Sequence, residues 1–344
     1  ATVFFAFDFM HFTQTRLATI DVFITFFVLL MYLFLYRYCT LSFYDVPLSR
    51  TLLPLGACGV CMGLGIAAKW TGVYAGMGLA ILFFGSLFRR YREYLAAKQD
   101  PDGCTGDISH RHILESFRPC VLKTLLFCCL FFLLIPAAIY LASYLPFSDG
   151  SGDGVFLRML RNQEYMFRYH SGLDATHPFS SPWYQWPILK RPVWYYSGIL
   201  TGSYGTGGLR EGISAFGNPL VWWMGIPAAF CTLWLSTRKK DRTAAFLLTG
   251  YLAQYLPWFF VTRITFIYHY FPSVIFVVLM SAHCMDRLRP RLSKRAWRLL
   301  NMLFATSALG LFLLFYPVLS GQPVEASYVN RFLRWFEGWV LTAK

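Results

Sequence analysis

The feature that most constrains this chain is the spacing of its long apolar runs. Eight of them, at about 20–37, 53–68, 72–88, 121–143, 219–236, 244–261, 271–285 and 299–318, come close to the roughly 20 helical residues that cross a hydrocarbon core about 30 Å thick. Backbone N–H and C=O groups find no water inside a bilayer, so such runs fold as helices. Residues 1–10 (ATVFFAFDFM) read as the end of a ninth span. They show no basic n-region and no cleavage site, so they are not a signal peptide. The chain is expected to begin inside a helix, as a fragment missing its N-terminal part. The expected fold class is an all-α polytopic membrane protein of eight spans plus a partial one.

Composition supports this. The chain is 56% hydrophobic and 14% charged, against roughly 25% charged in soluble domains. So apolar a sequence does not stay disordered either. The net charge of +14 leaves two explanations, a nucleic-acid partner or cations sorted to one side of a membrane. Of the 31 Lys and Arg, 19 fall in the segments 37–50, 89–123, 237–243 and 286–298, which alternate with the others along the chain. That asymmetry places these four loops inside the cell. No basic face interleaved with aromatics lies in one soluble domain, so no nucleic-acid partner is expected.

The chain then divides into four parts. Residues 1–143 are spans with an inner loop at 89–120, and 144–218 form a large external loop. Residues 219–318 hold four spans, and 319–344 form an amphipathic tail on the outer surface. The inner stretch 92–118 is polar with no visible fold, which leaves His110 and His112 solvated. The external loop is rich in Tyr, Trp, Pro and His, too aromatic for disorder and too long for a simple connector. None of the nine cysteines lies in it, so no external disulfide framework is expected. Cys58-x-x-Cys61 sits in a Gly-rich apolar helix and reads as core packing. The glycines near Gly63–Gly65 read as close helix packing and those at Gly205–Gly208 as a loop turn. No phosphate-cradling, dinucleotide-binding, zinc-protease or serine-hydrolase motif occurs.

Chemistry concentrates at the outer span ends, where a charge costs free energy unless it reaches water or does work. His11-Phe-Thr-Gln14-Thr-Arg16 precedes Asp21, which opens a span. Asp21 is either a helix N-terminal acid or a pocket carboxylate beside the cation Arg16. Lys69 lies in a tight turn, as a snorkelling cation or a ligand for phosphate. Arg263 precedes Tyr268, His269, Tyr270 and Pro272. In a helix Arg263 and Tyr270 would share a face, and Pro272 marks a helix start. His177, Trp183 and Trp186 either line a pocket or dock the loop on the bilayer. Cations, a carboxylate and aromatic platforms on one side suit an amphiphilic phosphate with its tail in lipid.

The strings DFMHFTQTRLATIDVF, GLGIAAKWTG, ATHPFSSPWYQWP, RPVWYY, RITFIYHYFPS and PVEASYVNRFLRWFEGWV, in this order from residue 8 to residue 340, resemble bacterial protein O-mannosyltransferases. These are phospholipid carrier-dependent glycosyltransferases with a GT-C membrane fold. The resemblance implies eleven spans, of which this chain holds the third to the eleventh. Its external loop is too short for the soluble domain that eukaryotic relatives insert there. It implies transfer of mannose from a polyprenyl-phosphate to Ser or Thr hydroxyls of exported proteins, outside the cell membrane and with inversion at the anomeric carbon. The partners are then the lipid-linked sugar, the protein acceptor and membrane lipid. The catalytic aspartate belongs to an acidic pair upstream of Ala1, so no residue here takes that role and the fragment alone is expected to be inactive. Arg16, Lys69 and Arg263 are the candidates for the carrier phosphate. Asp21 supports them by orienting Arg16, the acceptor or a metal. Gln14, His177, Trp183, Trp186, Tyr268 and His269 are the candidates for the sugar and acceptor pocket. The sequence indicates no cofactor and leaves metal dependence open. The alternatives are transfer to a lipid or cell-wall glycan on the same fold, or a transporter. No internal repeat supports a transporter, and most charges lie at span ends.

Overall fold

The computed structural model describes residues 1–150, 152–173, 175–198 and 209–342. The Gly205–Gly208 cluster lies outside the described residues. Two compact units are present, Ala1–Val22 with His170–Lys344, and Phe23–Tyr169. Among the described residues, seven helices are long and apolar enough to cross a membrane. The stretch expected at 244–261 is instead a 14-residue helix, α10 (Arg242–Tyr255), followed by the 3-10 turn Leu256–Phe260. Pro257 explains the change, because it has no N–H to continue the α-helical ladder.

In the second unit, α3 (Asp21–Thr40), α4 (Leu48–Ala68) and α5 (Gly72–Gln99) precede a helix of three parts. That helix starts as α6 (His110–Cys129), widens into a π turn at Leu130–Leu134 and continues as α7 (Ile135–Ala142). Small residues on α4 set the packing. A Cβ on Gly59 would lie 2.1 Å from the Phe131 carbonyl oxygen, inside the π turn, and one on Gly63 would lie 2.9 Å from the Pro136 Cα. Helices in lipid gain little from apolar burial, so such close backbone approach is what holds a pair together. Cys58 is buried and its thiol donates to the Met31 carbonyl at 3.2 Å, which makes it a packing residue.

The stretch 92–118 departs from the reading of a foldless polar loop. Helix α5 runs on to Gln99, and β1 (Cys104–Thr105) pairs antiparallel with β2 (Ile108–Ser109). His110 is buried, and its ring nitrogens meet the Asp100 carbonyl at 2.5 Å and the Thr105 hydroxyl at 2.8 Å. His112 is exposed, as the sequence suggests. Phe43, Tyr44, Ala97 and Ile113 form a small core beneath the hairpin. Its apolar residues come from three separate segments, so no one segment shows the pattern.

The first unit begins with α1 (Thr2–Ala6) and α2 (Phe9–Arg16), where one continuous helix end is expected. Asp8 makes the break. Its extended backbone and side chain cap α2 by accepting the His11 N–H at 3.1 Å. Helix α8 (Val155–Ser171) lies in the second unit up to Tyr169, and in the first unit β3 (Val193–Ser197), β4 (Leu209–Arg210) and β5 (Gly212–Ala215) precede helices α9 (Pro219–Arg238), α10, α11 (Phe271–Asp286) and α12 (Lys294–Ser320). Strand β3 pairs antiparallel with β5. The last segment is not a surface helix. After β6 (Val324–Glu325) it makes one short helical run to Leu333 and then an irregular stretch. Val329, Leu333, Trp339 and Leu341 are buried. Four buried apolar residues spaced 4, 6 and 2 apart follow no single helical face.

Candidate active site

The Asp8 carboxylate fixes the start of α2. It is fully buried and accepts the Asn218 N–H at 3.0 Å and the Trp222 indole N–H at 2.8 Å. Asn218 in turn donates to the carbonyls of Phe7 and Ala308, at 3.0 Å each. One acidic residue thus ties α2 to the start of α9 and to the middle of α12. Sequence reasoning missed this hub, because its members are about 90 to 210 positions apart.

From that anchor α2 presents Gln14. It is fully buried, donates to the Tyr195 hydroxyl at 2.9 Å and accepts from the Thr19 hydroxyl at 2.7 Å. Tyr195 lies on β3 and was not singled out by the sequence. Burial, and then the nearby Tyr268 and Asp21, push its phenol well above the ordinary range, against the Gln14 hydrogen bond. The Tyr195 and Tyr268 rings are 6.3 Å apart. Asp21 is buried, and Asp21 and Arg263 both lie within electrostatic reach of the Tyr268 hydroxyl. Gln14, Asp21, Arg263 and Tyr268 therefore belong to one neighbourhood. His170 joins it from the end of α8. Partial desolvation and then the Arg263 cation hold its imidazole below the ordinary range.

Two loops are locked together beside this cluster. The Ser181 N–H donates to the Thr265 carbonyl at 2.9 Å, and the Thr265 hydroxyl donates back to the Ser181 carbonyl at 2.9 Å. The Trp186 indole N–H reaches the same Ser181 carbonyl at 3.0 Å. Trp186 is fully buried, stacked at 6.0 Å and 17° on His269, which is itself buried. Tyr268 stacks on Phe266 at 5.4 Å, and His177 meets the Phe266 ring edge-on at 5.2 Å while remaining exposed. Trp183 is half-buried, packed on Tyr255 at 5.2 Å, and its carbonyl accepts the Tyr255 hydroxyl. Trp183 and His177 thus border the cluster, whereas Trp186 and His269 form its interior.

The remaining positions each have their own surroundings. Residues 261–266 are not helical, so Arg263 and Tyr270 do not share a helix face. Tyr270 is buried with its hydroxyl 2.9 Å from that of Tyr251. Pro272 does open α11, as read from the sequence. Arg16 is exposed, with its guanidinium 4.9 Å from the Phe12 ring of its own helix. Lys69 belongs to the second unit, where it is half-buried and ends α4. In the adjoining turn the Trp70 indole donates to the Tyr140 hydroxyl, which bonds on to Gln163. Among the described residues no group of three His, Cys, Asp or Glu side chains is arranged to hold a metal.

Comparison with known proteins matches these same segments. The model of the C-terminal four-span region of protein O-mannosyltransferases matches residues 155–339, and that of dolichyl-phosphate-mannose-protein mannosyltransferases matches residues 1–148. The polyprenol-phosphate-mannose–protein mannosyltransferase of Mycolicibacterium smegmatis is 27% identical over 311 residues, covering 82% of this chain and 57% of the relative. That of Mycobacterium tuberculosis is 27% identical over 316 residues, with 82% and 56% covered. The chain thus spans little more than half the length of the curated relatives it matches. In fold it is similar to a chain of the S. cerevisiae protein O-mannosyltransferase Pmt1–Pmt2 complex bound to the sugar donor. That likeness has a TM-score of 0.74 at 12% identity and covers 98% of this chain and 76% of the other. A multi-pass helical membrane fold of the GT-C type is the result, and the chain belongs to the protein O-mannosyltransferase family.

Proposed function

We propose that this protein takes part in transferring mannose from a polyprenyl-phosphate carrier to Ser or Thr hydroxyls of exported proteins, on the outer side of the membrane. The observation that carries this reading is the neighbourhood of Asp21, at the start of α3, with Arg263 and Tyr268, which flank the Ser181–Thr265 lock, inside segments the family models match.

In the reaction a base takes the hydroxyl proton, and the oxygen bonds to the anomeric carbon from the face opposite the phosphate. The bond from that carbon to the phosphate oxygen breaks, with inversion, and the carrier leaves as a phosphate monoester anion. Arg263 supplies a fixed cation for the charge that grows on this leaving group. Arg16, exposed at the end of α2, is the second cation of the reading, and Lys69 is retained from its sequence position alone. Gln14 holds Tyr195, and Tyr268, Trp183 and His177 shape the pocket for sugar and acceptor. Trp186 and His269 support it from beneath. No residue of this chain is assigned as the base.

The test uses the natural full-length protein in membranes with polyprenyl-phosphate-mannose and a Ser/Thr peptide. Arg263→Ala and Asp21→Ala should each lower turnover at least about tenfold at unchanged expression, the effect of losing a charge-stabilising contact. Full activity in both overturns the site. Mannose appearing on a lipid or cell-wall glycan and never on exported proteins, read by mass spectrometry, overturns the acceptor assignment.

A further inference from the structure

The segment Val324–Thr342 is fastened to the loop that carries Trp183 and Trp186. Trp339 is 1% exposed, and its indole N–H donates to the Leu189 carbonyl at 2.7 Å. Leu189 is itself fully buried and has a φ of 56°, a left-handed conformation unusual for a leucine. That residue closes the turn that begins at Trp186. The Leu189 N–H reaches the Trp186 carbonyl at 2.9 Å, and the Lys190 N–H reaches the Gln185 carbonyl at 3.2 Å.

One further contact joins the same two segments, and others fasten the tail to β4, β5 and α12. Gly338 lies so near that a Cβ on it would stand 2.9 Å from the Lys190 carbonyl oxygen. The Ser214 hydroxyl donates to the Leu341 carbonyl at 3.1 Å, and β4 pairs with β6. The Trp339 ring packs on Phe216 at 5.0 Å and Phe315 at 6.0 Å, both fully buried. An unfavourable backbone conformation persists only where its surroundings over-determine it. At Leu189 the tail adds Trp339 and Gly338 to the hydrogen bonds of the turn itself. What the turn fixes is the Trp186 ring, stacked on His269.

We infer that Val324–Thr342 is a clasp for the 181–190 loop, with Trp339 as a positioning residue that acts through the Leu189 carbonyl on Trp186 and His269. Its consequence for catalysis rests on the transferase reading above, whereas its structural consequence does not. Trp339→Phe keeps an aromatic ring and deletes the N–H. Amide hydrogen exchange over 183–190 should then quicken by about fivefold or more while the β1–β2 hairpin is unaffected, since exchange reports local opening. Unchanged exchange at 183–190 overturns the clasp, whether or not the parent protein transfers mannose. Loss of transfer by the parent sinks the activity reading instead.

In transfer assays on the full-length protein, W339F should raise KM for the acceptor peptide by about five- to tenfold, the scale of one lost buried hydrogen bond. The KM for the lipid donor should stay that of the parent, while the melting temperature falls modestly because the buried Leu189 carbonyl loses its donor. Equal losses for donor and peptide would mark a merely structural tryptophan and overturn the positioning role. Should W339F not fold, Gly338→Ala presses on the Lys190 carbonyl without emptying the core. It should shift the same peptide KM, and no shift overturns the proposal.

Discussion

Two of the long helices are opposites. In Ile267–Arg291, of the first unit, 72% of the most apolar stretch is buried within the protein, whereas in His110–Ala142, of the second, 6% is. The more apolar of the two is the exposed one. In a bilayer this is the expected sign, because a helix surface facing lipid must be apolar while one facing protein is free to carry polar groups. The buried helix begins beside His269 and Tyr270 and is surrounded by Trp186, Trp258 and Tyr251. The exposed one is held along a seam of glycines on α4. The contrast teaches that the site is built where hydrogen bonds specify packing, and that the second unit relies on backbone fit.

The most damaging way to probe that contrast is at the glycine seam. Gly59→Ala places a Cβ 2.1 Å from the Phe131 carbonyl oxygen. Neither backbone moves without parting α4 from the π turn. A destabilisation of about 3 kcal/mol or more is expected, at the upper end of overpacking, read as a lost or strongly lowered melting transition in detergent or nanodiscs. Gly76→Ala, whose nearest neighbour would be the Met62 sulfur at 3.4 Å, is the matched control and should leave the transition in place. Equal behaviour of the two would mean that backbone fit does not hold the second unit.

The counterpart in the first unit is Asp8. Asp8→Ala leaves the Asn218 N–H, the Trp222 indole and the His11 N–H without their acceptor. A loss of about 2–3 kcal/mol is expected, the cost of orphaned buried donors. Asp8→Asn keeps one oxygen for the two donors that share Oδ1 and should lose roughly half as much. If Ala and Asn prove equally mild, specific hydrogen bonding does not organise this unit.

The sequence shows where these two strategies apply better than how they work. The long helices were legible because apolar runs of sufficient length have few other folds, and α11 began where Pro272 said it would. The RITFIYHYFPS and HPFSSPWYQWP strings marked segments that do lock together, because clustered aromatic side chains outside a long helix need a packing partner. What stayed hidden depends on distant pairs. Asp8 gives no sign of its partners in the sequence, because Asn218 and Trp222 meet it from 210 and 214 positions away. The hairpin at 104–109 was hidden because its core is shared among three segments. Leu189 carries no sign of a left-handed turn, since the Trp339 that bonds its carbonyl lies 150 residues on.

The smallest expected effect is in acid, at the turn between α9 and α10. Asp241 caps α10 by accepting the Ala244 N–H at 3.1 Å, meets the His283 ring at 2.9 Å and pairs with Arg287. Burial alone would raise its carboxyl. The Ala244 N–H, the His283 ring and Arg287 outweigh that and hold it below the ordinary carboxylate value of 3.8. A carboxyl lowered on folding contributes stability that is complete above the unfolded value and lost as pH falls through the folded one. The melting temperature should therefore drop as pH is taken below about 4, by an amount worth less than about 1 kcal/mol because Arg287 is half-exposed and screened. Asp241→Asn keeps a capping oxygen and removes the charge, so it should lie slightly below the parent at neutral pH and converge with it in acid. In the second unit Asp102 pairs with Arg111 at the surface, where both side chains are more than 70% exposed, and Asp102→Asn should change neither curve. An acid slope that survives Asp241→Asn but disappears with Asp102→Asn would reverse the comparison, placing the electrostatic contribution in the unit held together by glycines.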